Sequence, residues 1–176
     1  VPFYLADRKK EKALQGANTD DGFYGMVFQD SDVYKWLEAV GYSLINHPDK
    51  NLEEKADEII GLICSAQLEN GYLDTLYVIN NPNEIFSNLK DFHELYCFGH
   101  LCEAAISYYK ATKKRKLLDA AIHFADLICD TFGETKIKGY GGHEIAEMAL
   151  VKLYDITGKK EYLETAKFFI DERGKK

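Results

Sequence analysis

No apolar run in this 176-residue sequence approaches the roughly 20 residues that a bilayer crossing requires, which excludes a membrane-spanning helix. Phosphate-cradling glycine loops, dinucleotide fingerprints and nucleophile elbows are also missing, so the common nucleotide-binding and serine-hydrolase chemistries have no foothold. Basic charge is scarce. The 22 Lys and Arg stand against 29 Asp and Glu, and a net charge of −7 argues against nucleic acid or an anionic membrane surface as the main partner. The one basic run, 113–116, reads as a short solvated turn. Cysteine is limited to Cys64, Cys97, Cys102 and Cys129, with no CxxC and no regular spacing. Each sits in an apolar helical pattern and reads as a small buried hydrophobe, which points to reduced thiols and a cytoplasmic setting. The first ten residues, VPFYLADRKK, lack both an initiator Met and the layout of a signal peptide, so a trimmed N-terminus is expected.

What is present is a globular composition, 46% apolar and 29% charged, on a length suited to one domain over 1–176. Residues 1–29 are the least regular part, and 15–25 (QGANTDDGFYG) carries turn chemistry. Apolar residues at three- and four-residue steps then predict a helix from Asp30 to about Asn46. Asp30 or Ser31 is a candidate to accept from its free amides, and His47-Pro48 ends it. Further helices are expected from Asn51 to about Gln67, Asp91 to Ala111, Lys116 to Thr131, His143 to Asp155 and Glu161 to Asp171. The stretch 72–89 has little period and forms a long connection, of the kind that often carries function.

An internal repeat organises the second half. Tyr109, Thr112, Leu118, Ala121, Phe124 and Asp126 recur at one constant spacing as Tyr154, Thr157, Leu163, Ala166, Phe169 and Asp171. Each unit is a helical hairpin of about forty-odd residues, and 30–67 fits loosely as a first unit. The expected fold is all-α: antiparallel helical hairpins in succession, either an α-solenoid or an arc of an α/α toroid.

The chemistry-bearing residues gather in HELYCFGHLCEAAISYY, residues 93–109. His93, Cys97 and His100 lie at i, i+4 and i+7 on one helical face, a legitimate zinc-ligand set, yet no CxxC or HExxH accompanies them and no metal is assigned. His93-Glu94 and His143-Glu144 each follow an irregular loop at a helix start, and neighbouring hairpins in a ring would place both on one rim. Two imidazoles there can hydrogen-bond a polyol; the plainer alternative is that each caps its helix. Asp30, Asp32, Glu94 and Glu144 fall near such junctions, where first-turn acids complement the helix dipole as readily as they form a glycosidase pair. Phe28, Trp36, Tyr72, Tyr96 and Tyr140 line a sugar-sized pocket or the core.

Several long strings, GMVFQDSDVYKWLEAVGYSL (25–44), AQLENGYLDT (66–75), HELYCFGHLCEAAISYYKAT (93–112), GYGGHEIAEMALVKLYDITG (139–158) and YLETAKFFIDERG (162–174), resemble glycoside hydrolase family 127, the β-L-arabinofuranosidases. The resemblance runs from about Leu5 to Gly174 and implies the N-terminal part, about half, of a catalytic (α/α)6 barrel. It implies a retaining glycosidase in which a zinc-bound cysteine is the nucleophile and a glutamate the acid/base. Both, with the zinc ligands, belong to a later part of the barrel that no position here matches. No catalytic residue is therefore assigned, and zinc is expected only in the full-length family. What carries over is a substrate rim: His93 and His143 on the sugar, with Asp30, Gln67 and Tyr72 in the shared strings. The first 24 residues look shorter than the family's usual approach.

Two functions follow. The chain is a piece of a glycosidase that supplies the glycone-binding wall for a small sugar or arabinose-containing glycan, or it is a helical sugar-binding or assembly module without catalysis. Half a toroid exposes a helical flank, so a homo-oligomer is expected, with no nucleic-acid or membrane partner.

Overall fold

The computed structural model describes residues 2–14, 22, 23 and 25–175. Its helices are α1 (Pro2–Leu14), α2 (Asp30–Asn46), α3 (Lys50–Ala66), a short α4 (Thr75–Asn80), α5 (Glu94–Thr112), α6 (Lys116–Thr131), α7 (Ala146–Thr157) and α8 (Lys160–Gly174), with a 3₁₀ turn at Pro82–Glu84. Among the described residues there is no β-strand, only a single bridge between Phe132 and Ile137. The fold is all-α, as expected.

Three antiparallel hairpins, α2/α3, α5/α6 and α7/α8, stack in two rows. In the inner row α5 lies between α2 and α7. Cys97 meets the Ser31 backbone and Ser107 meets Gly41, so the partner position advances along both helices and α2 and α5 run parallel. Gly99 against Ile145 and Glu103 against Lys152 make α5 and α7 parallel as well. In the outer row Cys64 reaches the Lys116 carbonyl and Gln67 reaches that of Ala120, so α3 and α6 are parallel. Asp126 meets Tyr162 and Phe132 meets Phe169, which does the same for α6 and α8. Parallel inner and parallel outer rows are the arrangement of an arc of an (α/α)6 ring.

The repeat in the sequence is a repeat in the turns. Thr112 donates to the Tyr108 carbonyl (2.8 Å) and accepts from Lys114 N–H (3.2 Å). Thr157 donates to the Leu153 carbonyl (2.8 Å) and accepts from Lys159 N–H (3.2 Å). Between each Thr and Lys, the residue at the helix end is left-handed, Lys113 with φ 62° and Gly158 with φ 73°. Each lysine then reaches back to an aspartate of the preceding outer helix, Lys114 to Asp57 and Lys159 to Asp126.

Residues 1–29, expected to be irregular, open instead with α1. Its charged run hides the stripe, but Phe3 and Ala6 are buried, and the Phe3 ring packs 5.7 Å from that of Tyr34. Lys9 Nζ donates to the Ile79 carbonyl (2.8 Å) and Lys10 Nζ to that of Gln67 (2.7 Å), near the C-terminal ends of α4 and α3, where cations are favoured. The turn expected at 15–25 lies mostly outside the described residues. The connection 72–89 is less irregular than its sequence: Asp74 accepts from Leu76 N–H (3.1 Å) and starts α4.

Candidate functional site

The N-terminal ends of the parallel inner helices share one rim of the stack, and the chemistry gathers there. His93 precedes α5 in a left-handed conformation (φ 62°) and makes no side-chain cap bond. Helix α7 starts only at Ala146, three residues beyond His143, which the turn 142–145 presents to solvent. Capping, the plainer role for these histidines, is therefore not what their side chains do.

They meet each other instead. His93 Nε2 and His143 Nε2 lie 3.2 Å apart, with ring centroids 5.1 Å apart. His93 Nδ1 is 2.7 Å from the Asp91 carbonyl oxygen. A carbonyl only accepts, so Nδ1 carries a proton, and in the neutral tautomer that this contact selects, His93 offers a lone pair at Nε2. His143 must then donate from its Nε2–H. The pair presents one imidazole acceptor and one imidazole donor side by side. Aromatic rings wall it in: Phe28 at 5.6 Å from His93, and Tyr96 at 5.6 Å from His93 and 5.0 Å from His143. Tyr96 also packs against His100 at 4.6 Å, and Lys35 Nζ stands over the Tyr96 ring, 5.1 Å from its centre. Burial, with Lys35 adding to it, pulls the His100 imidazole down to about 4, so it is neutral at ordinary pH.

The helical-face set His93, Cys97 and His100 is divided by packing. Both imidazoles flank Tyr96, whereas Cys97 is buried against α2, and burial pushes its thiol up. No three His, Cys, Asp or Glu side chains converge as metal ligands among the described residues.

Of the other three expected on the same rim, Asp30 and Tyr72 are buried within the wall and Gln67 is half-buried at the end of α3. Asp30 is buried; rather than capping α2, its carboxylate crosses to Thr75, accepting from the backbone N–H (2.8 Å) and the hydroxyl (2.7 Å). Gln67 spends its amide on the carbonyls of Gly71 and Ala120, both at 2.8 Å, and so ties the end of α3 to α6. Tyr72 is fully buried and donates to Glu94 Oε1 at 2.6 Å, the oxygen that also accepts from Phe86 N–H at 2.9 Å. Of these five residues, the structure brings His93 and His143 into direct contact, while the other three spend their polar groups on neighbouring segments.

Asp30 and Glu94, both candidate junction acids in the sequence, are joined by Asp74, which the sequence reading did not single out, in a buried acidic layer. Asp30, Asp74 and Glu94 are all buried beneath the rim. Burial raises all three: Asp30 to about 6, Glu94 to about 7, and Asp74 well above the usual carboxylate range with Asp30 and Glu94 adding to the effect. The AsnGlyTyrLeuAspThr string at 70–75 held the clue, an aspartate followed by threonine just before a helix.

Beside the histidines, loops 86–90 and 137–142 bound a cleft of about 390 Å³ that includes Tyr140 and Gly142. A second cleft of about 400 Å³, lined by Arg115, His123, Asp126 and Lys159, lies at the opposite end of the inner helices, by their C-terminal turns.

Comparison with known proteins gives one consistent answer. Residues 3–176 match the family described as the β-L-arabinofuranosidase, GH127 catalytic domain. A non-reducing end β-L-arabinofuranosidase of Bifidobacterium longum subsp. longum is 43% identical over 180 aligned positions, covering 97% of this chain and 27% of that protein. The crystal structure of a GH127 β-L-arabinofuranosidase from Geobacillus stearothermophilus T6 superposes with a TM-score of 0.90 at 48% identity, covering 99% of this chain and 26% of that one. A GH127 β-arabinofuranosidase structure superposes with a TM-score of 0.87 at 38% identity, covering 98% and 28%. The chain spans about a quarter of the length of these relatives.

Proposed function

The chain belongs to the GH127 β-L-arabinofuranosidase catalytic-domain family, and on that footing we propose that it forms the glycone-binding wall of a retaining glycosidase that takes arabinose-containing glycans. The observation that carries this reading is the His93–His143 pair. A hydroxyl has one proton to donate and lone pairs to accept with. A sugar hydroxyl entering between the rings donates to His93 Nε2 and accepts from His143 Nε2–H, replacing the direct 3.2 Å contact. Phe28 and Tyr96 supply apolar surface for the C–H face of the ring.

Zinc does not fit the residues described. Cys97 and Cys102 are buried on α5, Cys64 sits on α3 and Cys129 on α6, and burial pushes every one of these thiols up, away from the thiolate a metal needs. The reading therefore places nucleophile, acid/base and metal in another segment of the enzyme and routes no step through this chain's cysteines. The free thiols support a cytoplasmic setting.

His93→Ala and His143→Ala should each weaken L-arabinose binding about tenfold, the effect of one hydrogen bond near 1.4 kcal/mol, with the melting temperature held. The check is ligand-observed NMR titration of the three proteins. Equal affinity in all three returns both histidines to packing. Incubated alone with an aryl β-L-arabinofuranoside, the chain should release no aglycone; turnover sensitive to a chelator would overturn the division of labour.

The alternative of a helical assembly module has one observation in its favour. The last hairpin exposes Met148 and Val151 on α7 and Ile170 on α8. Self-association through that flank should give a light-scattering mass above the 20.1 kDa of one chain; a monodisperse monomer contradicts it.

A further inference from the structure

The segment that carries His143 is contacted by a residue thirty positions away. The loop 138–144 makes no backbone–backbone hydrogen bonds among the described residues, so something else must hold it. Arg173, in the last turn of α8, reaches over and touches it repeatedly. Its Nη2 donates to Glu147 Oε1 (3.0 Å) and lies 3.4 Å from the His143 carbonyl oxygen, while Nη1 stands 3.5 Å from Glu144 Oε1. The guanidinium carbon sits 4.7 Å from the centre of the Tyr140 ring. These contacts fall on both sides of His143. Arg173 is largely covered, and Glu147 is buried in the first turn of α7. A planar fork that pairs with a carboxylate while stacking on an aromatic ring suits arginine; lysine, a point charge, cannot do both.

We propose that Arg173 is a positioning residue for sugar binding: it clamps residues 140–147, the loop and the first turn of α7, so that the His143 imidazole meets His93. This rests on the sugar-facing reading of the histidine pair, but its test does not depend on it. The clamp joins the end of the last outer helix to the rim at the start of the last inner helix, so the placement of one sugar contact depends on the docking of α8.

The test compares wild type, Arg173→Lys and the double variant Arg173→Met with Glu147→Met. The double change removes both partners, because a lone buried Glu147 carboxylate would by itself threaten folding. Long-range ¹H–¹⁵N spectra of the imidazoles report whether His93 Nε2 accepts a hydrogen bond, and circular dichroism reports the fold. The double variant should keep its helical signal, lose the His93–His143 signature and bind L-arabinose roughly five- to tenfold more weakly. Arg173→Lys should fall between. An intact imidazole signature with unchanged affinity in the folded double variant overturns the proposal. If wild type fails to bind L-arabinose while the double variant loses the signature, positioning stands and the sugar reading falls. Should the double variant not fold, Tyr140→Leu removes the stacked ring alone, and an undisturbed imidazole pair there, together with one in Arg173→Lys, counts against the clamp.

Discussion

Gly41→Ala should destabilise the chain by roughly 3 kcal/mol, within the range for overpacking a tight contact. On an exposed helix this substitution is favourable by up to about 1 kcal/mol, because alanine is the better helix former. Here α2 and α5 meet through the glycine. A Cβ at 41 would stand 2.2 Å from Ser107 Oγ, 2.7 Å from the Ser107 carbonyl carbon and 2.8 Å from the Tyr108 nitrogen. A hydroxyl can rotate away; two backbone atoms in the middle of a helix cannot. The helices must part, and the contact that sets the inner row opens with them. Adding Ser107→Ala removes only the first clash, so the double variant should remain destabilised by most of the single-variant loss. Urea unfolding of both variants checks this. Wild-type stability in Gly41→Ala would mean that α2 and α5 pack less closely than described. At Gly99 a Cβ would lie 2.6 Å from Ile145 Cγ2 and 3.1 Å from the Ile145 carbonyl carbon, so the close contact there falls mainly on a side chain at the entry to α7.

Glu94→Gln should change the pH dependence of stability rather than the fold. Burial raises the Glu94 carboxyl from 4.5 to about 7, against hydrogen bonds from Tyr72 and the Phe86 N–H that favour its ionised form. The native state therefore holds its proton more tightly than the unfolded chain. Below about pH 4.5 both states are protonated and the group's favourable contribution is fully present. It is lost as pH rises toward and through 7, amounting to about 3 kcal/mol at roughly 1.4 kcal/mol per pH unit. The glutamine oxygen can still accept from Tyr72 and Phe86 but carries no titrating proton. The variant should thus gain on wild type by about 3 kcal/mol between pH 4.5 and pH 8, whatever fixed offset separates them. Asp30 titrates in the same direction and remains in both proteins, and relief of Glu94's charge on Asp74 adds to the gain. Urea midpoints at pH 4.5, 6 and 8 give the answer. A constant difference across the range would show that Glu94 is ionised and well solvated.

The helices that could be read in the sequence are those whose stripes are long enough to show a period. Lys116–Thr131 was legible end to end, and the constant spacing of Tyr109, Thr112, Leu118, Ala121, Phe124 and Asp126 with their counterparts announced the hairpin repeat. Helix α1 was not, because among its described side chains only Phe3 and Ala6 are buried, and it packs on α3 and α4. Helix α4, six residues long, is too short for any period. The site was half legible. Hairpin topology placed His93 and His143 on one rim, but a 3.2 Å contact between residues fifty apart depends on the Arg173 clamp and on the left-handed turn at His93. Asp30, Gln67 and Tyr72 share strings with the rim, yet their polar groups meet Thr75, the Gly71 and Ala120 carbonyls, and Glu94, partners that sequence likeness alone does not disclose.

The central claim is that the two imidazoles are what sugar meets. Titrating L-arabinose into imidazole-labelled protein, with long-range ¹H–¹⁵N spectra at each addition, tests it most directly. The account predicts that the His93 and His143 Nε2 signals move together, on one saturable curve, while His47 and His123 stay still. Saturable movement of His123, beside the cleft at the opposite end of the inner helices, with His93 and His143 unmoved, would contradict it.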